Sequence, residues 1–457
     1  MRVLLPVHIF LPEQTAGVEQ YTAQLASALQ GEAEVAVITT RKIISLKTGT
    51  VRNTQVEGLT VYEVVNNLSY ESVEGTWSEP QLEQAFSQVL DDFKPEVVHF
   101  QHLMYWSAGL PALASKAGAK VFMTLHDFWL MCARMGQLVA PDGTLCHLPT
   151  EELCAPCMAA TQFGQSPDAQ KWIRRLIRIR SATGIALDEP MRLAKRVMKS
   201  SKRNEAESAV EDSLQEWQAS YQDRQTSFLA LQESVDLFLT PSNSLRDRFI
   251  EWGLPAAKIR QLAQGRNHAP FENKVQHAEA AINTRAIRFG FLGTVAPHKG
   301  VLELIQAFAK VKSDGAQLAV YGPYAKHPEY WQLVQAEAAK DPRVELAGPV
   351  TPTQVPAVLR SFDLSCVPSL WDECCPLTIQ EAFMAGTPAL VSNLGGLAEL
   401  VQDGKGGGRA PAGDIVAWSR TLQGIVDNPD QLSDWKRSIP TVPNIKAHVD
   451  ALLQLYG

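Results

Sequence analysis

The sequence predicts an α/β protein with two doubly wound, Rossmann-like domains that face a cleft, and with a helical hairpin inserted in the first domain. Two observations predict the domains: both halves of the 457-residue chain alternate short apolar runs with helix-period segments, and a polar stretch separates them. The third observation is a long, highly charged segment that matches neither pattern. The chain is about three typical domains long, which leaves room for both domains and the insertion.

Five apolar runs in the first half are predicted to be parallel strands. The segment AGVEQYTAQLASALQ follows the first run with apolar residues at helical spacing, so we expect a helix there. Pro6 and His8 interrupt the apolar opening, which favours a buried strand over a signal peptide. The five runs are RVLLPV from Arg2, EVAVIT from Glu34, EVVHFQH from Glu96, KVFMTLHD from Lys120 and DLFLTPS from Asp236.

A second set of apolar runs predicts a second parallel sheet. Helical segments such as GVLELIQAFAKV separate these runs. The runs are IRFGFLG from Ile287, AQLAVYG from Ala316, VELAG from Val344, DLSCVPS from Asp363 and TPALVSN from Thr387. The predicted organisation is a first domain over 1–263, a linker over 264–286, a second domain over 287–440, and a last helix over 441–457 that crosses back to the first domain.

The inserted helical hairpin is predicted over about 165–234. Its first part, 171–203, has eleven Lys and Arg against Asp188 and Glu189. Two interpretations stay open: oppositely charged helices that pack on each other, and a basic amphipathic helix that rests on an anionic membrane surface. Arg224 occupies the one missing position in an apolar stripe with spacings of three and four, formed by Val210, Leu214, Trp217, Tyr221, Phe228, Leu231 and Val235.

Composition narrows the class of protein. A net charge of -7 gives no overall attraction to nucleic acid, so we expect no nucleic-acid partner. No window approaches 18 uninterrupted apolar residues, which argues against a transmembrane helix. Seven cysteines fit a reducing compartment better than a disulfide framework. We expect a cytoplasmic protein. Since a transmembrane helix is not expected, the membrane association that stays open is peripheral contact with the inner face of a membrane through 171–203.

The segment 368–400 combines two carboxylates with a helix start. After the predicted strand DLSCVPS, Glu373 lies in a turn, and Pro376, Leu377 and Thr378 begin a helix that contains Glu381. Free backbone amides at a helix start suit a diphosphate. The carboxylates can accept hydrogen bonds from sugar and ribose hydroxyls. The pattern therefore predicts a site for a nucleotide sugar.

These motifs resemble the large retaining family of GT-B glycosyltransferases called family 4. The resemblance is carried by Glu373 and Glu381 with seven residues between them, by AFMAGTPALVS, and by the two glycines before Glu399. It covers nearly the whole chain except the insertion. It implies a GT-B fold, with Glu373 on the transferred sugar, Glu381 on the ribose, and Pro376, Leu377 and Thr378 at the diphosphate.

A second matching segment, FGFLGTVAPHKGVLELIQAF, contributes the donor-side cation. By resemblance, Gly293 brings the backbone close to the donor phosphates and Lys299 neutralises them. Many family members have Arg directly after this glycine, where this chain has Thr294. Arg266, with Asn267 in the predicted linker, occupies the place of a family loop and is a candidate for the missing cation.

The acceptor side is assigned to the first half of the chain. Gly17 opens the first predicted helix, as in family members where this loop approaches donor and acceptor. His126 and Asp127 end a predicted strand and resemble the family's acceptor-side histidine. An imidazole beside a carboxylate can orient a hydroxyl. His102 ends the preceding strand and is a weaker candidate, and core packing is enough to explain His99.

Four cysteines form the last constellation. They lie within 26 residues and end in CAPC, which fits part of a tetrahedral metal site, so a structural zinc ion is predicted. Disulfides and unligated thiols are the alternatives. The four residues are Cys132, Cys146, Cys154 and Cys157.

The predicted function is therefore transfer of a sugar from a nucleotide diphosphate donor to an acceptor hydroxyl, with retention and without a catalytic metal or other cofactor. The resemblance favours a polysaccharide or lipid-linked glycan as acceptor. Two alternatives remain: another GT-B enzyme, such as a nucleotide-sugar epimerase or a phosphorylase, and a catalytically silent assembly protein. The absence of GxGxxG disfavours a nicotinamide enzyme.

Overall fold

The computed structural model describes residues 1–13, 16–161, 175, 214–272 and 286–457. The predicted basic part of the insertion, 171–203, lies outside the described residues except at residue 175, and so do residues 273–285 of the predicted linker over 264–286. The chain divides into two compact units. The first consists of Met1–Leu239, Arg248–Arg260 and Tyr456, and the second of Thr240–Asp247, Gln261–Leu455 and Gly457.

The first sheet has eight strands in the described residues. They are β1 (Arg2–Val7), β2 (Glu34–Arg41), β3 (Val51–Val56), β4 (Leu59–Val65), β5 (Val97–Phe100), β6 (Lys120–Thr124), β7 (Leu237–Thr240) and β8 (Ile259–Gln261). Their order in the sheet is β3-β4-β2-β1-β5-β6-β7-β8. The neighbours from β4 to β7 are parallel, and β3 is antiparallel to β4. All five predicted runs are strands, and the chain order reverses between β1 and β5.

The β3–β4 hairpin was not predicted from the sequence. Its two-residue turn is Glu57-Gly58, with φ of 51° and 80°. Positive φ at both central residues is the geometry of a tight hairpin whose twist matches its strands. The signal was present, because Gly58 separates two segments rich in β-branched residues.

The helices of this unit bury apolar residues at helical spacing. The helix Pro80–Phe93 shows the local causes: Glu79 caps it by accepting from the Gln81 amide at 3.3 Å, Pro80 occupies its first turn, and Lys94 ends it with a left-handed φ of 50°. The other helices of at least seven residues in the described part are Gly17–Leu29, Leu110–Lys116, Glu151–Ala159, Leu214–Leu229 and Asn243–Trp252, the last of which has residues in both units.

The described part of the insertion is helical, as predicted. It contains the helix Leu214–Leu229, and a 3-10 turn, Ala230–Glu233, follows this helix. Tyr221 anchors the helix by donating from its hydroxyl to Pro149 O at 3.1 Å. Phe228 is buried in the stripe, and so is Arg224, which is 4% exposed. The cation in the apolar stripe therefore points inward.

The second sheet has six parallel strands in the described residues. They are β9 (Ile287–Leu292), β10 (Ala316–Tyr321), β11 (Val344–Gly348), β12 (Leu364–Val367), β13 (Ala389–Ser392) and β14 (Gly407–Ala410). The order is β11-β10-β9-β12-β13-β14, so the chain order reverses between β9 and β12. All five predicted runs are strands. The edge strand β14 was missed because its sequence, GGRA, has little β propensity.

Helices alternate with these strands and build an apolar core. Phe289 of β9 and Phe308 of the following helix meet edge to face at 6.0 Å, and both are fully buried. The helices are Ala269–Glu272, Val301–Phe308, Pro328–Ala338, Val355–Arg360, Leu377–Met384, Gly395–Leu400, Ile415–Asp427, Asp430–Arg437 and Ile445–Tyr456. Among the described residues, no helix is both long enough and apolar enough to cross a bilayer.

Candidate active site

The reversal point of the second sheet brings two predicted motifs together. Gly293 and Lys299 follow β9, and Glu373 follows the adjacent strand β12. In open parallel sheets, ligands bind outside the carboxyl ends of the strands where the strand order reverses. The position of these two loops is therefore the one expected for a ligand site.

Lys299 and Glu373 form a direct ion pair at this point. The Lys299 Nζ donates to Glu373 Oε1, and the Ser369 hydroxyl donates to the same oxygen at 2.7 Å. Trp371 flanks the pair, with its ring centroid 5.4 Å from Nζ. Burial alone would raise the pKa of Glu373, but Lys299 and the hydrogen bonds lower it below its ordinary value. Glu373 is therefore a carboxylate at neutral pH.

His298 is a neighbour of this pair that the sequence analysis missed. Its ring lies 4.4 Å from the Trp371 ring. Burial, followed by the charge on Lys299, lowers the pKa of His298 to about 4. The imidazole is therefore neutral at physiological pH and adds no second cation. The sequence could have indicated this neighbour, because His298 directly precedes Lys299.

Two glycine positions allow the site loops to approach each other closely. Gly300 has a φ of +67°, and a Cβ there would lie 2.0 Å from Pro368 O. Gly396 donates its amide to Glu373 O at 2.9 Å, and a Cβ there would lie 2.1 Å from Cys374 O. Only glycine fits such contacts without moving the backbone. These glycines fix the loops that carry Lys299 and Glu373.

Glu381 pairs with Arg266. The helix Leu377–Met384 begins after Pro376, and Glu381 Oε1 accepts from Arg266 Nη2 at 3.1 Å. Burial raises the pKa of Glu381, although Arg266 opposes the shift. Arg266 is 3% exposed, and its Nε and Nη1 have no hydrogen-bond partner in the described residues. The structure thus places Arg266 at the carboxylate predicted to bind ribose.

The amide of Gly293 donates a hydrogen bond to Tyr321 O of the neighbouring strand β10 at 3.0 Å. Thr294 follows in the loop and is half-buried. At the predicted helix start, Leu377 and Thr378 occupy the first turn, where amides have no partner within the helix. The amide of the next residue, Ile379, reaches Pro376 O at 3.2 Å.

In the first unit, the predicted acceptor-side residues lie at the carboxyl ends of β5 and β6. His126 Nε2 donates to Gln101 Oε1 at 3.2 Å. His102 Nδ1 accepts from the Met104 amide at 2.9 Å, which leaves Nε2 to donate to Asp127 Oδ2 at 3.1 Å. The imidazole hydrogen-bonded to Asp127 is therefore that of His102, which the sequence ranked below His126.

A second imidazole and carboxylate complete this edge, and the sequence analysis missed their pairing. His8 follows β1, and its Nε2 lies 3.1 Å from Glu19 Oε1 in the helix that Gly17 begins. The His8 and His102 rings are 4.6 Å apart. Burial and His102 lower the pKa of His8, although Glu19 opposes the shift. We call His8, Glu19, His102 and Asp127 the histidine cluster. It lies where the strand order of the first sheet reverses.

The four clustered cysteines are free thiols. Burial raises the pKa of Cys154 to about 12, with smaller effects from the neighbouring thiols. In the described residues, which include all four cysteines, no three His, Cys, Asp or Glu side chains are arranged to hold a metal ion. This arrangement gives no support to the predicted zinc site. His147, next to Cys146, instead lies 2.9 Å from Glu251.

Similarity to known proteins agrees with this arrangement. Residues 16–192 match the family model "Glycosyl transferase 4-like domain", and residues 286–428 match "Glycosyl transferases group 1". Solved structures similar over the whole chain include Anabaena HepE in complex with UDP and glucose (TM-score 0.63, 12% identity, 99% of that chain) and a sucrose-phosphate synthase from Thermosynechococcus elongatus (TM-score 0.64, 16% identity, 98% of that chain). The chain has the GT-B fold.

Curated relatives match only part of this GT-B chain. One is a D-inositol 3-phosphate glycosyltransferase of Corynebacterium efficiens, 28% identical over 38% of this chain and 42% of the relative. Another is a lipopolysaccharide 1,2-N-acetylglucosaminetransferase of Salmonella typhimurium, 32% identical over 36% of this chain and 46% of the relative. The matches thus span less than half the length of these two relatives.

Proposed function

We propose that this protein is a glycosyltransferase that moves a sugar from a nucleotide diphosphate donor to an acceptor hydroxyl with retention at the anomeric carbon. The observation that carries the proposal is the ion pair of Lys299 and Glu373 at the reversal point of the second sheet. The two glycosyltransferase family models and the GT-B fold support it.

We assign each part of the donor to residues of the candidate site. Lys299 and the first-turn amides of Leu377 and Thr378 bind the diphosphate, since a cation and unpaired amides both favour anions. The Glu373 carboxylate accepts hydrogen bonds from sugar hydroxyls, and Glu381 accepts them from the ribose. The cation and the amides supply the charge stabilisation that a metal ion gives in other phosphate sites.

The reaction exchanges one bond at the anomeric carbon for another. The bond from this carbon to the diphosphate breaks, and a bond to the acceptor oxygen forms on the same face. The departing phosphate oxygen takes the proton of the acceptor hydroxyl, so no protein nucleophile is needed. His126 orients the acceptor, while Lys299 and Arg266 offset the charge on the leaving nucleotide.

The names of two relatives support the proposed class of acceptor. Their names include an inositol phosphate and a lipopolysaccharide as substrates. A cell-surface polysaccharide or a lipid-linked glycan is therefore the proposed acceptor.

We also propose that the protein is cytoplasmic and contacts an anionic membrane through 171–203. Cosedimentation with anionic vesicles tests this contact. Exchange of Arg174, Arg175 and Arg178 for Glu should abolish the cosedimentation, and unchanged cosedimentation would contradict the membrane contact.

Donor binding is the direct test of the proposed function. In a thermal-shift screen of UDP- and GDP-sugars, a donor at 100 times its Kd should stabilise the protein by about 2.7 kcal/mol. Lys299→Met should remove this shift, while Lys310→Met, at an exposed lysine beyond the next helix, should keep it. If no nucleotide sugar stabilises the protein or is hydrolysed, the protein is a catalytically silent relative.

Product analysis separates the proposed reaction from the other GT-B activities. Incubation with donor alone should give little turnover, because a transferase needs its acceptor. Epimerised sugar nucleotide would identify an epimerase, and phosphate-dependent cleavage of a glycan would identify a phosphorylase.

The structural zinc proposed at the four cysteines is independent of this chemistry. Elemental analysis should find it in reduced protein, and the absence of metal would exclude it.

A further inference from the structure

A pocket of about 300 Å³ lies in the first unit, beside the histidine cluster. Its wall includes Tyr105, whose ring is 6.2 Å from that of His8, and Trp129, whose ring is 5.5 Å from that of His102. Small-molecule sites range from about 300 to 1,000 Å³, so this pocket can enclose one small ligand or one headgroup. All of its lining residues belong to the first unit.

Arg224 gives this pocket an uncompensated positive charge. The side chain is 4% exposed, and the part of the chain that the structure describes offers it no carboxylate partner. Its two terminal nitrogens donate to Leu130 O at 2.8 Å and Trp129 O at 2.5 Å. The guanidinium lies 5.3 Å from the ring of Trp129 and 4.7 Å from that of Phe228. Because a guanidinium has five N–H donors, three remain without a partner there.

The Arg224 guanidinium stays positively charged at neutral pH. Burial lowers the pKa of Arg224 to about 10, against the opposing effect of neighbouring thiols and a tyrosine hydroxyl, and this value still leaves the group protonated. A buried cation whose charge no anion balances is costly to the fold. An anionic ligand in the pocket would supply the missing charge and accept the remaining N–H groups.

Part of the pocket lining has a strained backbone conformation. Leu68, Tyr105 and Met135 line the pocket with φ of 53°, 66° and 55°, and they are half of the six non-glycine residues with positive φ in the described chain. Asn66 supports two of them: its Oδ1 accepts from the Leu68 amide at 2.9 Å, and its Nδ2 donates to Tyr105 O at 2.7 Å and to the Tyr70 hydroxyl at 3.3 Å. Strained residues that the surrounding structure fixes cluster at ligand sites.

We infer that this pocket binds the acceptor through an anionic group, a phosphate or a carboxylate, and that Arg224 is the residue that selects it. The planar fork of the guanidinium can bind either group with two parallel hydrogen bonds. The aromatic wall packs against the part of the acceptor next to this group, and the pocket has room for about one sugar ring of that part. Calling the ligand the acceptor rests on the proposed function, whereas anion binding at Arg224 does not.

Calorimetric titration of the full chain with three matched probes tests the inference. Phenyl phosphate and benzoate should bind, and benzyl alcohol should bind at least about tenfold more weakly because it has the same ring without the charge. The tighter of the two anions identifies the group. Arg224→Gln should weaken anion binding about 10- to 100-fold. Arg248→Gln is the matched control, since Arg248 also donates to a carbonyl and lies 5.7 Å from an aromatic ring but is outside the pocket lining.

A second variant keeps the test decisive if Arg224→Gln does not fold. Ala133→Trp fills the pocket while leaving Arg224 in place, and it should abolish binding of phenyl phosphate. Wild-type affinity in Arg224→Gln or in Ala133→Trp, or equal affinity for benzyl alcohol, would overturn the inference. If anions bind through Arg224 but no nucleotide sugar stabilises the protein, the anion site stands and its designation as the acceptor site fails.

Discussion

Replacing Lys299 by methionine should destabilise the second unit in a pH-dependent way. Removing one partner of a buried ion pair costs about 3–5 kcal/mol. The Lys299 side chain is 24% exposed, so water screens part of this energy and we expect about 2 kcal/mol. For a unit of this size, that loss should lower the unfolding temperature by about 4–8 °C.

The pH dependence follows from the Glu373 carboxyl. In the wild type its pKa is below the ordinary value of 4.5, so its contribution to stability is present above pH 4.5 and is lost as the pH falls through the native pKa. In Lys299→Met, burial dominates and the pKa rises above 4.5. The deficit of the variant should therefore be small near pH 4 and grow toward pH 7.

Differential scanning calorimetry between pH 4 and 7 measures this change. The Lys310→Met control should follow the wild type at every pH. Lys299→Met combined with Glu373→Gln should recover part of the stability, because no unpaired charge is then buried. A deficit that does not change with pH, or a double variant as unstable as the sum of the single variants, would refute the role of this ion pair.

Three further predictions concern backbone strain, a buried amide and the donor site. Gly300→Ala should cost more than 2 kcal/mol, because a Cβ would lie 2.0 Å from Pro368 O, whereas Gly348→Ala, with a φ of +80° and no atom within 4 Å, should cost about 1 kcal/mol in urea unfolding. Asn66→Ala should cost about 1–3 kcal/mol, and an unchanged urea midpoint would contradict its three hydrogen bonds. Glu381→Gln should weaken UDP binding about tenfold and should also lower the unfolding temperature, because the buried Arg266 loses its carboxylate partner; full UDP affinity would exclude Glu381 from the ribose site.

The sequence predicted most strands of both sheets, because buried parallel strands are short apolar runs between helical segments. It predicted Lys299 and Glu373 as separate donor contacts. It did not predict their ion pair, since contact between residues 74 apart depends on the order of β9 and β12 in the sheet. The His8 and Glu19 pair was missed for a similar reason, because it depends on how the first helix packs on the sheet.

Arg224 illustrates what a periodic pattern leaves open. The spacing of the apolar stripe placed it on the buried face of a helix, and the structure confirms that position. The pattern gave no reason for a cation there, because the pocket is formed by loops distant in the chain. The zinc ion at the four cysteines stays a prediction: their spacing suggests such a site, and no three His, Cys, Asp or Glu side chains of the described residues are arranged to hold a metal ion.

Three residues that line the pocket have a left-handed backbone conformation, and this conformation restricts which substitutions can alter ligand preference. At Leu68, Tyr105 and Met135, a β-branched replacement would add steric cost, while asparagine or glycine would relieve it at the expense of the apolar surface. A library for new specificity is therefore better directed at Thr76 and Ala133, which line the same space without this backbone constraint. In this pocket, the backbone limits diversification more tightly than the available volume does.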